Sequence, residues 1–189
     1  TENGYCRVKL ANEISGFVPE VALRKRLDSD RFLWGKSEER FFVEQGIPEG
    51  WSEEKFRRKV VECAKGYLGC QYRWGGKAAD GIDCSGVVFM VYLMNGVLIW
   101  RDADIREGYP MKAIWREGEE MCLVEERAKA GDLLFWRGHV GMYLGDGRYL
   151  HCTGHERVFG CRVNSLRRGD EDFRKDLAEA LKVVGSVFS

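Results

Sequence analysis

The chain has 189 residues, 44% hydrophobic and 32% charged, with 30 basic side chains against 30 acidic ones. That composition supports a sizeable core and argues against disorder, while a formal charge of zero offers no attraction to nucleic acid or an anionic membrane. No apolar run approaches the roughly 20 residues that span a bilayer.

Residues 1–25 read as two short strands. Tyr5-Cys6-Arg7-Val8-Lys9-Leu10 alternates, and Ser15-Gly16-Phe17-Val18-Pro19-Glu20-Val21-Ala22-Leu23 follows a turn. A hairpin this short is marginal alone. The start at Thr1-Glu2-Asn3-Gly4, without initiator methionine or signal peptide, reads as a processed or truncated chain. Residues 26–51 are charged and irregular and read as a linker, ending in a Gly46-Ile47-Pro48-Glu49-Gly50 turn. Ser52 caps an expected helix from Glu53 to about Leu68, with Phe56, Val60, Cys63, Ala64 and Tyr67 at helical spacing.

A loop over 70–83 leads to the apolar run Val87 to Met94, a second helix ending near Asn95-Gly96. Beyond it the period changes. Gly131 to Trp136 is a strand, His139–Leu144 and Arg148–Thr153 a hairpin around Gly145-Asp146-Gly147, and Val158–Val163 a further strand. Asp170 to about Val184, with Phe173, Leu177 and Leu181, looks helical. Helices first and antiparallel strands after is an α+β pattern. The seven cysteines are odd in number and lack a Cys-x-x-Cys spacing, which excludes a closed disulfide framework. Most read as small buried hydrophobes.

Chemistry concentrates at Asp83-Cys84-Ser85-Gly86. A thiol at a helix N-terminus has its thiolate favoured by the helix dipole and free N–H groups, and the thiolate is the nucleophile. The three histidines are His139, His151 and His155. With a three-residue Gly145-Asp146-Gly147 loop, Leu144 pairs with Arg148 and His151 lies opposite Gly141. Val140, Met142, Leu144, Leu150 and Cys152 then share one face. His139, Gly141, Tyr143, Tyr149, His151 and Thr153 share the other. A two-residue turn would send His151 to the Met142 face, since one slip moves every side chain across the sheet. The apolar segregation favours the three-residue loop. On that register His139 is the base for Cys84, holding its thiolate as an ion pair, and His151 orients His139.

These motifs resemble those of the NlpC-type cell-wall cysteine peptidases. The resemblance covers roughly 52–185 and rests on Tyr72-x-Trp74-Gly75-Gly76, Asp83-Cys84-Ser85-Gly86, Gly131-Asp132-Leu133, His139-Val140-Gly141-Met142-Tyr143-Leu144-Gly145 and His151. It implies a papain-like fold with helices packed on an antiparallel sheet. It also implies Cys84 as nucleophile, His139 as base, His151 as orienting residue, and Tyr72 aiding the Cys84 amide at the oxyanion. Gly81-Ile82-Asp83-Cys84, Arg101-Asp102-Ala103 and the upstream strands are similar to a subset with N-terminal bacterial SH3 modules, which cuts between γ-D-glutamate and a diamino acid. The domains implied are an SH3-like stump over 1–25, a linker over 26–51 and a peptidase domain over 52–189. The subset implies substrate contacts for Asp83, Ser85 and Asp102, including the free N-terminal amine of the peptide, and Trp74 is a candidate for lining the pocket. The partners implied are peptidoglycan stem peptides or murein fragments, with no cofactor and no metal. Trp100 stands where a proline often precedes the Arg-Asp-Ala motif.

Plainer readings stand beside these. Asp83 is a helix cap, Asp102 an ordinary loop residue, and Trp74 a core residue. An acyl- or amidotransferase would use the same triad. A metal module would draw on Cys152, His151, His155 and Cys161, although His151 and Cys152 point to opposite faces of a strand. A non-catalytic wall-binding protein has no need of the full Cys/His/His set.

Overall fold

The computed structural model describes residues 3–9, 15–23, 47, 50–156 and 158–188. The chain divides into two units, Thr1–Glu44 and Gln45–Ser189. Most of the expected 26–51 linker lies outside the described residues. In the first unit, β1 (Tyr5–Lys9) pairs antiparallel with β2 (Ser15–Pro19), Tyr5 opposite Pro19 and Val8 opposite Gly16. A 3₁₀ turn over Glu20–Ala22 follows. Phe17 and Val21 are exposed.

The second unit opens with α1 (Glu53–Lys65), capped by Ser52, whose hydroxyl accepts from the Lys55 N–H at 3.2 Å. Its Phe56, Val60 and Ala64 are fully buried. On the same helix Arg57 donates to Asp132 at 2.8 Å, and Asp132 is 1% exposed. This pair, with a Tyr92 hydroxyl donating to the Gly131 carbonyl at 2.6 Å, accounts for the Gly131-Asp132-Leu133 stretch: it is where both helices are tied to the sheet.

Between the helices the 70–83 loop carries a small ladder, β3 (Lys77–Ala78) with β4 (Gly81–Ile82). Next comes α2 (Cys84–Met94), apolar on nearly every side and buried accordingly. Six strands form one antiparallel sheet: β5 (Lys112–Arg116), β6 (Leu133–Trp136), β7 (His139–Gly145), β8 (Arg148–Thr153), β9 (Gly160–Ser165) and β10 (Val183–Ser186). Their order is β5-β10-β6-β7-β8-β9. Two short helices, α3 (Cys122–Arg127) and α4 (Lys175–Glu179), complete the unit.

Three expectations are corrected. The hairpin turn is the two-residue one, Asp146-Gly147, with φ of 51° and 73°. Both values suit the mirror-image turn that matches strand twist. Gly145 pairs with Arg148, but the register shifts between Tyr143 and Gly145, leaving Leu144 as a bulge. The extra residue restores parity, so Tyr143 still faces Tyr149, Met142 faces Leu150, and the two histidines keep one face. That face is itself a core. Tyr143 and Tyr149 pack with Leu134, Trp136, Trp115, Val124, Leu181 and Val184. Finally, residues 170–184 are not one helix. α4 spans five residues, and Val183-Val184 enter the sheet between β5 and β6. The β-branched pair suits a pleated surface better than a helix.

Candidate active site

The nucleophile position is built by the N-terminus of α2. Asp83 caps it, its Oδ1 accepting from the Gly86 N–H at 2.6 Å and its Oδ2 from the Gly75 N–H at 2.7 Å. Gly86 meets Gly76 so closely that a Cβ on Gly86 would lie 2.3 Å from the Gly76 carbonyl oxygen. The aromatic-Gly-Gly motif and the cysteine motif therefore form one packed block. Cys84 is 8% exposed. Burial pushes its thiol up, and backbone N–H groups of Val140 and Ser85 offset this in part. The expected thiolate–imidazolium pair is thus opposed by desolvation, and the net shift favours the neutral thiol. The Val140 contact sets the sulfur beside the residue that follows His139.

Beneath the cap lies Arg101, which is 4% exposed. Its guanidinium donates to both Asp83 oxygens at 3.2 Å and to the Ser85 hydroxyl at 2.6 Å. Asp83 and Ser85, expected to touch substrate, are therefore engaged inside the protein. Asp102, next to the anchored Arg101, is exposed, and its carboxylate hydrogen-bonds no described residue. Trp74 is 86% exposed, so it is not a core residue.

Tyr72 bridges to Ile82 in parallel; the Ile82 N–H donates to the Gln71 carbonyl and the Arg73 N–H to the Ile82 carbonyl, each at 3.1 Å. The ring of Tyr72 lies over Gly154 and makes an edge contact with Phe159 at 5.9 Å. Burial raises its phenol, with Cys84, Asp83 and Cys152 adding.

The sheet supplies a chain of hydrogen bonds whose direction can be worked out. Asn164 Nδ2 donates to the Asp172 carbonyl at 2.8 Å, which leaves Oδ1 as an acceptor for His151 Nε2 at 3.0 Å. His151 in its neutral form then has a bare Nδ1, which accepts from His139 Nε2 at 2.8 Å. The tautomer of His139 follows from this donor–acceptor logic: Nε2 carries the proton and Nδ1 is the unprotonated base. Trp136 packs against the His139 ring at 5.4 Å. His151 is 1% exposed. Burial is the main cause that lowers both rings, His139 to about 3 with His151 adding, and His151 to about 4 against the raising effect of Asn164.

Tyr72, Cys84, His139 and His151 thus belong to one region of the second unit. Asn164 and Arg101 were not singled out in the sequence. Asn164 sits on β9 two residues beyond the partner of His151, a diagonal reachable only once the β8–β9 register is known. Arg101 belonged to a motif that drew attention to Asp102 alone. His155 is exposed, and His151 and Cys152 turn to opposite sides, His151 to Asn164 and Cys152 to the Ile82 carbonyl at 3.1 Å. Among the described residues no three His, Cys, Asp or Glu side chains are grouped to hold a metal ion.

A protein of Lysinibacillus sphaericus named dipeptidyl-peptidase 6 is 45% identical over 139 residues, covering 73% of this chain and 47% of that protein. The γ-D-glutamyl-L-lysine dipeptidyl-peptidase of Bacillus subtilis is 36% identical over 119 residues, covering 58% and 37% respectively. The chain therefore spans about half or less of these relatives. A crystal structure of an NlpC/P60 family protein from Bacillus cereus superposes with a TM-score of 0.54 at 20% identity, covering 97% of this chain and 50% of that one. At that identity the likeness shows the fold alone. A model of the NlpC/P60 family matches residues 69–169, more than half of the chain and a span that holds Tyr72, Cys84, His139, His151 and Asn164. The chain belongs to the NlpC/P60 family.

Proposed function

We propose that the chain is a cysteine peptidase that hydrolyses the γ-D-glutamyl–diamino acid bond of peptidoglycan stem peptides with a free N-terminal amine. The observation that carries this reading is the Asn164–His151–His139 relay, ending in an unprotonated Nδ1 beside the strand residue whose N–H meets the Cys84 thiol. The names of the relatives from L. sphaericus and B. subtilis support the peptidase class and the γ-D-glutamyl bond. Residues 1–25 are proposed as belonging to a bacterial SH3-like module, supported by the β1–β2 pairing.

In this mechanism His139 Nδ1 takes the thiol proton as Cys84 Sγ attacks the γ-carbonyl carbon. Transfer accompanies attack, because burial holds thiol and imidazole neutral at rest. The carbonyl oxygen gains the negative charge and is met by the Tyr72 hydroxyl and the Cys84 N–H. His139 then passes the proton to the departing amine, leaving a thioester on Cys84. Water attacks the thioester carbon, gives a proton to His139, and the thiol re-forms as the acid leaves. His151 keeps His139 in its tautomer throughout. Asp102 is the carboxylate left open for the peptide's ammonium group, and Trp74 offers an exposed aromatic surface on the 70–83 loop. Asp83 and Ser85 act indirectly, by fixing Arg101.

The test compares L-Ala-γ-D-Glu-L-Lys, free and N-acetylated, with the wild type and Cys84→Ala. Cleavage of the free peptide at the γ-glutamyl bond is expected, with acetylation and Asp102→Asn each weakening it. Cys84→Ala should lose about 1,000-fold or more while folding normally. No cleavage of either peptide defeats the proposal; equal cleavage of both removes the role of Asp102.

A further inference from the structure

Cys152 and Cys161 stand directly opposite each other on β8 and β9. The kind of pairing can be decided. The Cys161 N–H donates to the Cys70 carbonyl at 2.9 Å, and its carbonyl accepts from the Gly69 N–H at 2.9 Å. Both backbone groups of Cys161 therefore point away from β8. Cys152 and Cys161 are a non-hydrogen-bonded antiparallel pair, the arrangement that brings Cα atoms to about 4.5 Å and side chains closest. That separation lies within the range that a disulfide spans. All seven cysteines are free thiols.

We infer that Cys152 and Cys161 are a disulfide-forming pair, a modification site at the base of the segment that carries Gly154 and Phe159 against Tyr72. The surroundings suit the change. The Cys152 thiol donates to the Ile82 carbonyl at 3.1 Å, and that carbonyl keeps the Arg73 N–H when the thiol proton is gone. No buried acceptor is orphaned. The two thiols hydrogen-bond to each other, which sets the sulfurs side by side; that bond and burial push the Cys152 thiol up, so the reaction calls for alkaline pH. Cys152 is wholly buried and Cys161 is 4% exposed, so an oxidant meets Cys161 first.

The oxidant is a small organic disulfide. The Cys161 thiolate attacks one of its sulfurs, forming a mixed disulfide and releasing one thiol. The Cys152 thiolate, its proton passing to solvent, then attacks Cys161 Sγ and releases the second thiol. One S–S bond and two S–H bonds break, and one S–S bond and two S–H bonds form. The link closes a short loop and holds the Tyr72 contacts in place.

The folded full chain is incubated with hydroxyethyl disulfide near pH 8, alkylated with iodoacetamide, digested and mapped by mass spectrometry. The expected product is a Cys152–Cys161 link, absent from Cys161→Ser. Unfolding of the oxidised wild type should shift up by roughly 5 °C, as expected for closing a short loop. Recovery of Cys152 and Cys161 both alkylated, or a link from either to Cys84 or Cys70, overturns the proposal. Peptide cleavage is not read, so the outcome is independent of the peptidase proposal.

Discussion

The two halves of the site are fixed by opposite means. At the N-terminus of α2 a full charge pair is buried: Asp83 and Arg101 face each other at 3.2 Å with side chains 9% and 5% exposed. On the sheet, the His139–His151–Asn164 relay holds its order through neutral hydrogen bonds whose direction is set by one amide. The charged half makes a rigid socket that does not take part in proton movement. The neutral half can gain or lose a proton without first breaking an ion pair. A site that must be both stationary and proton-active separates the tasks between two kinds of polar group.

Breaking the charged half should have the largest effect on folding. Arg101→Leu leaves a carboxylate buried without its cation and is expected to cost about 3–5 kcal/mol. Chemical denaturation measures it. In a double-variant cycle with Asp83→Asn the two losses should be clearly less than additive, because the cap bond to Gly86 survives in the asparagine. Full additivity would mean that the pair is not coupled.

The neutral half should respond differently. Asn164→Ala removes the acceptor of His151 and is expected to cost about 1–3 kcal/mol of buried hydrogen bonding. Expressed in the transition state, that is on the order of 10- to 100-fold in kcat. KM should change little, since Asn164 is remote from any substrate contact proposed above. A KM effect with unchanged kcat would remove Asn164 from the relay.

The pH dependence sharpens the contrast. His139 and His151 are lowered to about 3 and about 4 from an ordinary 6.5. Between those limits and 6.5 the unfolded chain binds more protons than the folded one. Stability is therefore complete above about pH 6.5 and is lost as pH falls toward 4. The slope is at most about 1.4 kcal/mol per pH unit for each histidine. Thermal melts from pH 7 to 4.5 test this, and His151→Gln should make the slope shallower.

How much was legible follows from where each signal resides. The buried helix α2 was readable because eight apolar residues follow a capping Asp and a small polar turn. The shared histidine face was readable from the segregation of apolar residues along the two strands, although the three-residue turn it favours is not the one that forms. Asp146-Gly147 adopts the tight turn its residues favour, and Leu144 absorbs the mismatch. Asn164 and Arg101 were hidden because their partners are remote in sequence and fixed only by packing. β5, α3 and β10 were missed for another reason. They are short, with charges at the ends of β5 and a glycine in β10, and their order comes from burying Trp115 and Val184 together.

The parallel bridge between Tyr72 and Ile82 has a mechanical side. Cys84 lies two residues beyond Ile82, and the Gly76–Gly86 contact clamps the same loop onto the first turn of α2. Phenol and thiol are thus mounted on one frame. A displacement of that frame carries both groups in the same direction, like common-mode noise in a paired circuit, and their separation is preserved. Alignment with the sheet is set separately, by the Cys152 thiol on the Ile82 carbonyl and by the Val140 amide on the sulfur.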